Sequence, residues 1–221
     1  MTSTTIAYRT AGASALVATA GYIAIPAIRG LVENGAATLD DYPTPAQVGA
    51  NLGLGVFGYL TFGAIGVAVG VLTLALAGLG RPGLGRRLGS AAGVAGALGF
   101  LLVATGSRAM YSFVTANLTE TGADEGAQRA AVWAINVLAS QTLTLGAVGV
   151  ALWALWLVAA GREVLPRAVA IIALVLAAVI ALATGIADFL PSQFLYVPLF
   201  ALLGVTALVR ARKSGQWAQD A

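Results

Sequence analysis

The chain contains no cysteine and no histidine. Without cysteine there is no disulfide, no thiol redox chemistry and no thiolate metal site. Without histidine it lacks the commonest transition-metal ligand and the commonest general base near neutral pH. These absences argue against haem, iron–sulfur and zinc chemistry, and no carboxylate cluster in the apolar segments offers Mg²⁺ or Ca²⁺ an oxygen cage. The expectation is a protein with no metal and no cofactor. Charge is the other scarcity. Only 10% of the 221 residues are charged, whereas 59% are hydrophobic. A water-facing surface needs roughly 25% charged residues, so most of this surface is expected to face lipid or other helices. The mean hydropathy of +0.88 agrees.

What charge there is carries topology. A span needs about 20 mostly apolar residues to cross ~30 Å of hydrocarbon, and six segments qualify, at 10–29, 52–78, 91–113, 130–160, 168–188 and 194–210. The sequence therefore reads as a single all-α domain over 1–221, a polytopic bundle of six transmembrane helices in the plasma (inner) membrane. The polar stretch before the first segment and the lack of a small-x-small cleavage site mark that segment as a retained helix, not a signal peptide. If the spans alternate, Arg9, Arg81, Arg86, Arg87, Arg162, Arg167, Arg210, Arg212 and Lys213 share one side. The positive-inside rule puts that side, with both termini, in the cytoplasm. Glu33, Asp40, Asp41, Glu120, Asp124 and Glu125 fall on the other side. There the segment 30–51 carries Thr44 before Pro45, the start signal of a short helix. The net charge of +3 comes from these scattered loop residues, so nucleic acid is not an expected partner.

Small residues recur at helical spacing. Gly66 and Gly70 lie in the second span, and Gly89, Gly93 and Ala97 in the third. Such stripes let helix backbones approach in lipid, where packing drives association. They are expected to serve contacts within the chain, with homo-oligomer or partner contacts as the alternative. Trp133, Trp153, Trp156, Tyr111 and Tyr196 fall mostly near span ends and read as interfacial belts.

The candidate site rests on polar residues that are costly in a bilayer. Arg108 lies in the outer part of the third span and Asp188 at the outer end of the fifth. An ionisable group costs ~2.5–3.5 kcal/mol near a helix centre, and similar depth gives these two reason to pair. Asn136, Ser140 and Thr144 share a face of the fourth span, with Gln141 on its flank. With Tyr111 these residues outline a cup open to the outside, lined by Arg108, Tyr111, Asn136, Ser140, Gln141 and Asp188.

Three functions fit. The leading one is binding or carrying a small lipophilic or amphipathic molecule that enters from the outer leaflet, with Arg108 facing an anionic head group. The second is a cofactor-free enzyme using Asp188 as acid or base on a lipid or isoprenoid. It is conceivable by analogy with integral-membrane terpene cyclases, although the sequence carries none of their motifs. The third is a structural or accessory subunit of a membrane complex. All three take the lipid bilayer as their setting. The charge distribution makes the first testable prediction: reporter tags at both termini read as cytoplasmic, and a cysteine introduced at Ala37 is labelled from outside. An externally labelled terminus would refute the six-span arrangement.

Overall fold

A computed structural model describes the backbone of residues 3–33, 52–187 and 194–217. Side chains are described there except at 26–33, 52–58, 106–116, 119, 136, 140, 186–187 and 215–217. The described residues form six long helices: α1 Ser3–Glu33, α2 Leu52–Leu79, α3 Leu84–Thr121, α4 Glu125–Ala160, α5 Arg167–Ala187 and α6 Tyr196–Trp217. A single 3₁₀ turn, Gly161–Glu163, follows α4, and there is no strand among the described residues. Among the described residues, four stretches are long and apolar enough to cross a membrane: Tyr59–Leu79, Leu84–Thr105, Glu125–Glu163 and Arg167–Gly185. In α6 the closing Arg210, Arg212 and Lys213 shorten the apolar run.

Six helices occupy nearly the expected segments, but two are longer than hydropathy implies. α3 has 38 residues and α4 has 36. At 1.5 Å per residue they run about 57 and 54 Å, well beyond ~30 Å of hydrocarbon. The reason is that a helix ends where its caps are, not where apolarity ends. Gly122, at φ 65, turns the chain after α3. Asp124 then caps α4, its carboxylate accepting from the Ala127 N–H at 2.8 Å. The Asp40–Asp41 stretch and the Thr44–Pro45 start signal lie outside the described residues.

Each helix packs on its neighbours in the chain, and α6 returns against α1. The result is a closed ring in the order α1 to α6. The α3–α4 side is the most extensive and the α5–α6 side the thinnest. Small residues set the closest approaches between helices. α1 buries Tyr8, Ala11, Ala15, Ala18 and Tyr22 at alternating three- and four-residue spacing, the helical period that keeps one face inward. It meets α6 where a Cβ on Gly12 would lie 2.6 Å from the Leu208 side chain and 3.2 Å from the Gly204 carbonyl.

The α3–α4 seam is closer still. A Cβ on Gly99 would stand 2.7 Å from the Cα of Gly146, and one on Gly149 would stand 2.6 Å from the backbone nitrogen of Gly96. Further along, Gly93 faces Trp153 and Gly89 lies directly beneath the indole of Trp156. The glycine stripes thus serve contacts within the chain. Trp153 is fully buried and Trp156 nearly so. The interfacial-belt reading fails for both, because glycines opposite make room for an indole inside the bundle.

The end that carries most of the arginines is sewn together by the backbone. Gly161 leaves α4 at φ 71, a conformation glycine adopts without a steric penalty. The carbonyls freed there are capped from across the ring. The Tyr8 hydroxyl donates to the Val164 carbonyl at 2.9 Å, while Arg210 Nη1 donates to that hydroxyl at 3.0 Å and to the Arg162 carbonyl at 2.9 Å. Arg81 pairs with Glu163 at 2.6 Å. Two helices and two turns meet in this cluster.

The seam supplies a clean substitution test. Gly149→Ala drives a methyl into the backbone of α3, which cannot rotate away, and is expected to cost roughly 1–3 kcal/mol. Gly78→Ala, where a Cβ meets nothing within 4 Å, gains up to about 1 kcal/mol of helix propensity. Melting of the two variants in detergent distinguishes them; equal shifts would refute backbone contact at the seam.

Candidate functional site

In the interior of the ring lies a box of four aromatic rings. Tyr22 comes from α1, Phe100 from α3, and Tyr196 and Phe200 from α6; none is more than 3% exposed. Tyr22 and Tyr196 stack with centroids 4.5 Å apart and 20° between planes. Phe200 continues the stack, 5.7 Å from Tyr196 at 10°. Phe100 stands edge-on to both tyrosines, 5.8 Å from each at 84° and 80°. Stacked and edge-to-face rings satisfy the aromatic quadrupole and add about 0.5–1.5 kcal/mol per pair beyond area burial.

Local sequence explains the convergence. Tyr22 occupies the α1 face otherwise filled by alanine, and Tyr196 begins the α6 series Tyr196, Leu199, Phe200, Leu203 and Ala207, all buried. Phe100 follows Gly99 directly. When Gly99 is turned against α4, the ~100° step of the helix swings Phe100 toward the ring interior, where it meets rings from α1 and α6.

The polar atoms of the box are its chemical feature. The hydroxyls of Tyr22 and Tyr196 are buried without a partner of good hydrogen-bond geometry, although the two interact with each other. A buried hydroxyl left unsatisfied costs about 1–3 kcal/mol. Thr73 Oγ1 and Trp153 Nε1 are two more such atoms, and both side chains border Gly93. The ring interior therefore offers hydrogen-bond donors in an otherwise apolar setting.

Of the residues expected from sequence, Gln141 alone has a described side chain. Arg108 and Tyr111 fall within α3, and Asn136 and Ser140 within α4, but their side chains are outside the described set, as is Asp188 altogether. Arg108 is eight residues along α3 from Phe100, about 12 Å by helical rise. Gln141 is described, and it faces out from α4 between exposed Leu138 and Leu145. The Arg108–Asp188 pairing lies outside the described residues. Among those residues, no group of three or more acidic side chains is placed to hold a metal.

Sequence reasoning missed the aromatic box. Tyr196 was read as a belt residue and is instead 3% exposed. The readable signal was in α1, where Tyr8 and Tyr22 share the alanine face and not the Leu16, Val17 and Ile23 face. Bulky polar rings among small residues mark an interior that small residues have been placed to accommodate. Compared with known protein families, with characterised proteins and with solved structures, the chain matches none.

The unsatisfied hydroxyls make a signed prediction. Tyr22→Phe and Tyr196→Phe keep the stack and remove the unpaired oxygen, so each leaves the ligand-free protein as stable or up to about 1 kcal/mol more stable. Tyr22→Ala removes the ring and costs roughly 3–5 kcal/mol. Thermal melting in detergent reads the order. A Phe variant as damaging as the Ala variant would mean that the hydroxyl holds the fold.

Proposed function

We propose that this chain is a six-span plasma-membrane protein, its basic end and both termini cytoplasmic, that binds or carries a small lipophilic or amphipathic molecule. The membrane setting is supported by the outward faces. Ile23, Leu74, Leu102, Leu145, Leu182 and Val205, one from each helix, are all at least 57% exposed. Soluble monomers rarely expose contiguous apolar patches larger than a few hundred Å², whereas lipid-facing helices present them as a rule. Most of the arginines gather at one end of this apolar surface, as the positive-inside rule requires of a cytoplasmic face.

Binding is carried by one observation: two phenol hydroxyls buried inside an aromatic box with no well-formed hydrogen bond and only each other for company. Ligand sites combine apolar and aromatic walls with a few convergent polar groups. A carbonyl or hydroxyl on an otherwise apolar ligand satisfies Tyr22 and Tyr196 and recovers their desolvation cost. The thin α5–α6 side of the ring is the natural lateral entrance from lipid. Toward the outer end, Arg108, Tyr111, Asn136, Ser140 and Asp188 form a polar rim for the ligand's head group, with Arg108 suited to an anionic one. Exposed Gln141 favours a second reading, a membrane subunit or homo-oligomer, because an outward-facing amide is best satisfied by another protein chain.

The test is a thermal-shift screen of the detergent-solubilised protein against isoprenoid alcohols, quinones, fatty acids and sterols. A class that binds raises the melting temperature by mass action, equivalent to about 2.7 kcal/mol at one hundred times Kd. The shift is expected in the wild type and lost in the Tyr22→Phe/Tyr196→Phe double variant. A shift that survives the double variant, or none across the four classes, would overturn this reading.

A further inference from the structure

The basic end has a second feature that its topological role does not use. The α2–α3 turn, Gly80 to Gly83, lies against the α4–α5 turn. A Cβ on Gly80 would stand 3.2 Å from Trp156 and 3.6 Å from Val164. Arginines line this junction. Arg86 Nη1 reaches the Gly80 carbonyl at 3.4 Å. Arg81, its side chain 85% exposed, meets Glu163 at 2.6 Å. Exposed Arg162 directly precedes Glu163, and Arg210 crosses from α6 to the carbonyls of the same turn. Among the described residues, Glu163 is the one carboxylate at this end. Four arginines thus sit on or reach the two facing turns that hold a single negative charge, and the local excess is unfavourable until another anion joins it.

We propose that this notch binds the phosphate of an anionic phospholipid through Arg81, Arg86 and Arg162; the inference rests on the membrane reading above. Each guanidinium presents five N–H donors in a planar fork that suits phosphate oxygens. Arg81 spends donors on Glu163, and Arg86 makes one long bond to a carbonyl, so both keep donors for a phosphate. A lipid is favoured over free phosphate by the adjoining surface. Leu84 and Leu88, 71% and 61% exposed, stand one turn apart on the first two turns of α3, at the level of Arg86, which lies on the opposite side of the helix. Exposed apolar side chains at this level set the guanidiniums of the turn at head-group depth. Anionic head groups attract such residues with about 1 kcal/mol per Lys or Arg.

The experiment uses the full chain in dodecyl maltoside, with binding of phosphatidylglycerol, phosphatidylcholine and inorganic phosphate followed by native mass spectrometry and thermal shift. Phosphatidylglycerol is expected to bind and stabilise. Phosphatidylcholine and phosphate are expected to do neither. Arg86→Gln and Arg162→Gln each weaken the phosphatidylglycerol affinity by roughly fivefold. Glu163→Gln acts in the opposite direction, because it removes the competing carboxylate; its exposed ion pair is worth too little to endanger the fold. Opposite signs at neighbouring positions cannot arise from general destabilisation. Equal binding of the two lipids, an Arg86→Gln variant of unchanged affinity, or stabilisation by phosphate alone would each overturn the proposal. Carbonate extraction of expressing cells separates the two readings. A protein released into the soluble fraction overturns both, and one retained without lipid preference overturns this inference alone.

Discussion

Backbone meets backbone along α3 and α4, and the other sides of the ring are set from that contact. At Gly96, Gly99, Gly146 and Gly149 no side chain separates the two helices, so their spacing and register are fixed by main-chain atoms that cannot choose another rotamer. Where both faces of a contact are as apolar as the surroundings, hydrophobic burial does not choose the partner and close packing must. The seam also aims the side chains around it. Gly99 against α4 sends Phe100 inward, and Gly93 and Gly89 open the space in which Trp153 and Trp156 are buried. The aromatic box and the indoles are thus consequences of where glycines stand on one helix.

Burial inside the ring differs from the core of a water-soluble domain. Large aliphatic residues look outward, as at Leu74, Leu145 and Leu182, while Ala11, Ala15, Ala18, Ala173 and Ala177 look inward. Bulk is admitted to the interior chiefly as aromatic rings, leucines and a few β-branched residues opposite small ones. The buried hydroxyls of Tyr22 and Tyr196 are the costly exception. An atom whose satisfaction is withheld inside so economical a bundle is the strongest pointer to a ligand that the fold contains.

The helices were legible in the sequence because a long apolar run leaves few alternatives. Their ends were not. α3 begins at Leu84 and continues through Arg86 and Arg87 because arginine is a good helix former; hydropathy registers the charge and misses the helix. Tryptophan and tyrosine were misread for a related reason. Their rings suit both an interface and a buried site, and the choice depends on which residues stand opposite. Trp153 is interior because Gly93 faces it, a pairing of positions sixty residues apart that no local pattern reveals. Gln141 shows the converse: its spacing on α4 is plain, yet which way that face turns is set by α3 and α5. For Gln141, the candidate-site residue whose side chain is described, the helix was readable and the outward direction was not.

The first helix packs on α6 as extensively as on α2. α1 lies against α6 along the face that carries Tyr8, Gly12 and Ala15, and Arg210 then ties Tyr8 to the turn after α4. Chains are made from the N-terminus and fold progressively as they emerge. α1 must therefore wait through the synthesis of the four helices between, with its tyrosines and small residues lacking their α6 counterpart. Closure of the ring is a late, long-range event, and loop closure over such a separation is slow. The arrival of Arg210 at the Tyr8 hydroxyl marks the moment of completion. A ring without α6 has an open seam between α1 and α5 where the folded chain has a wall.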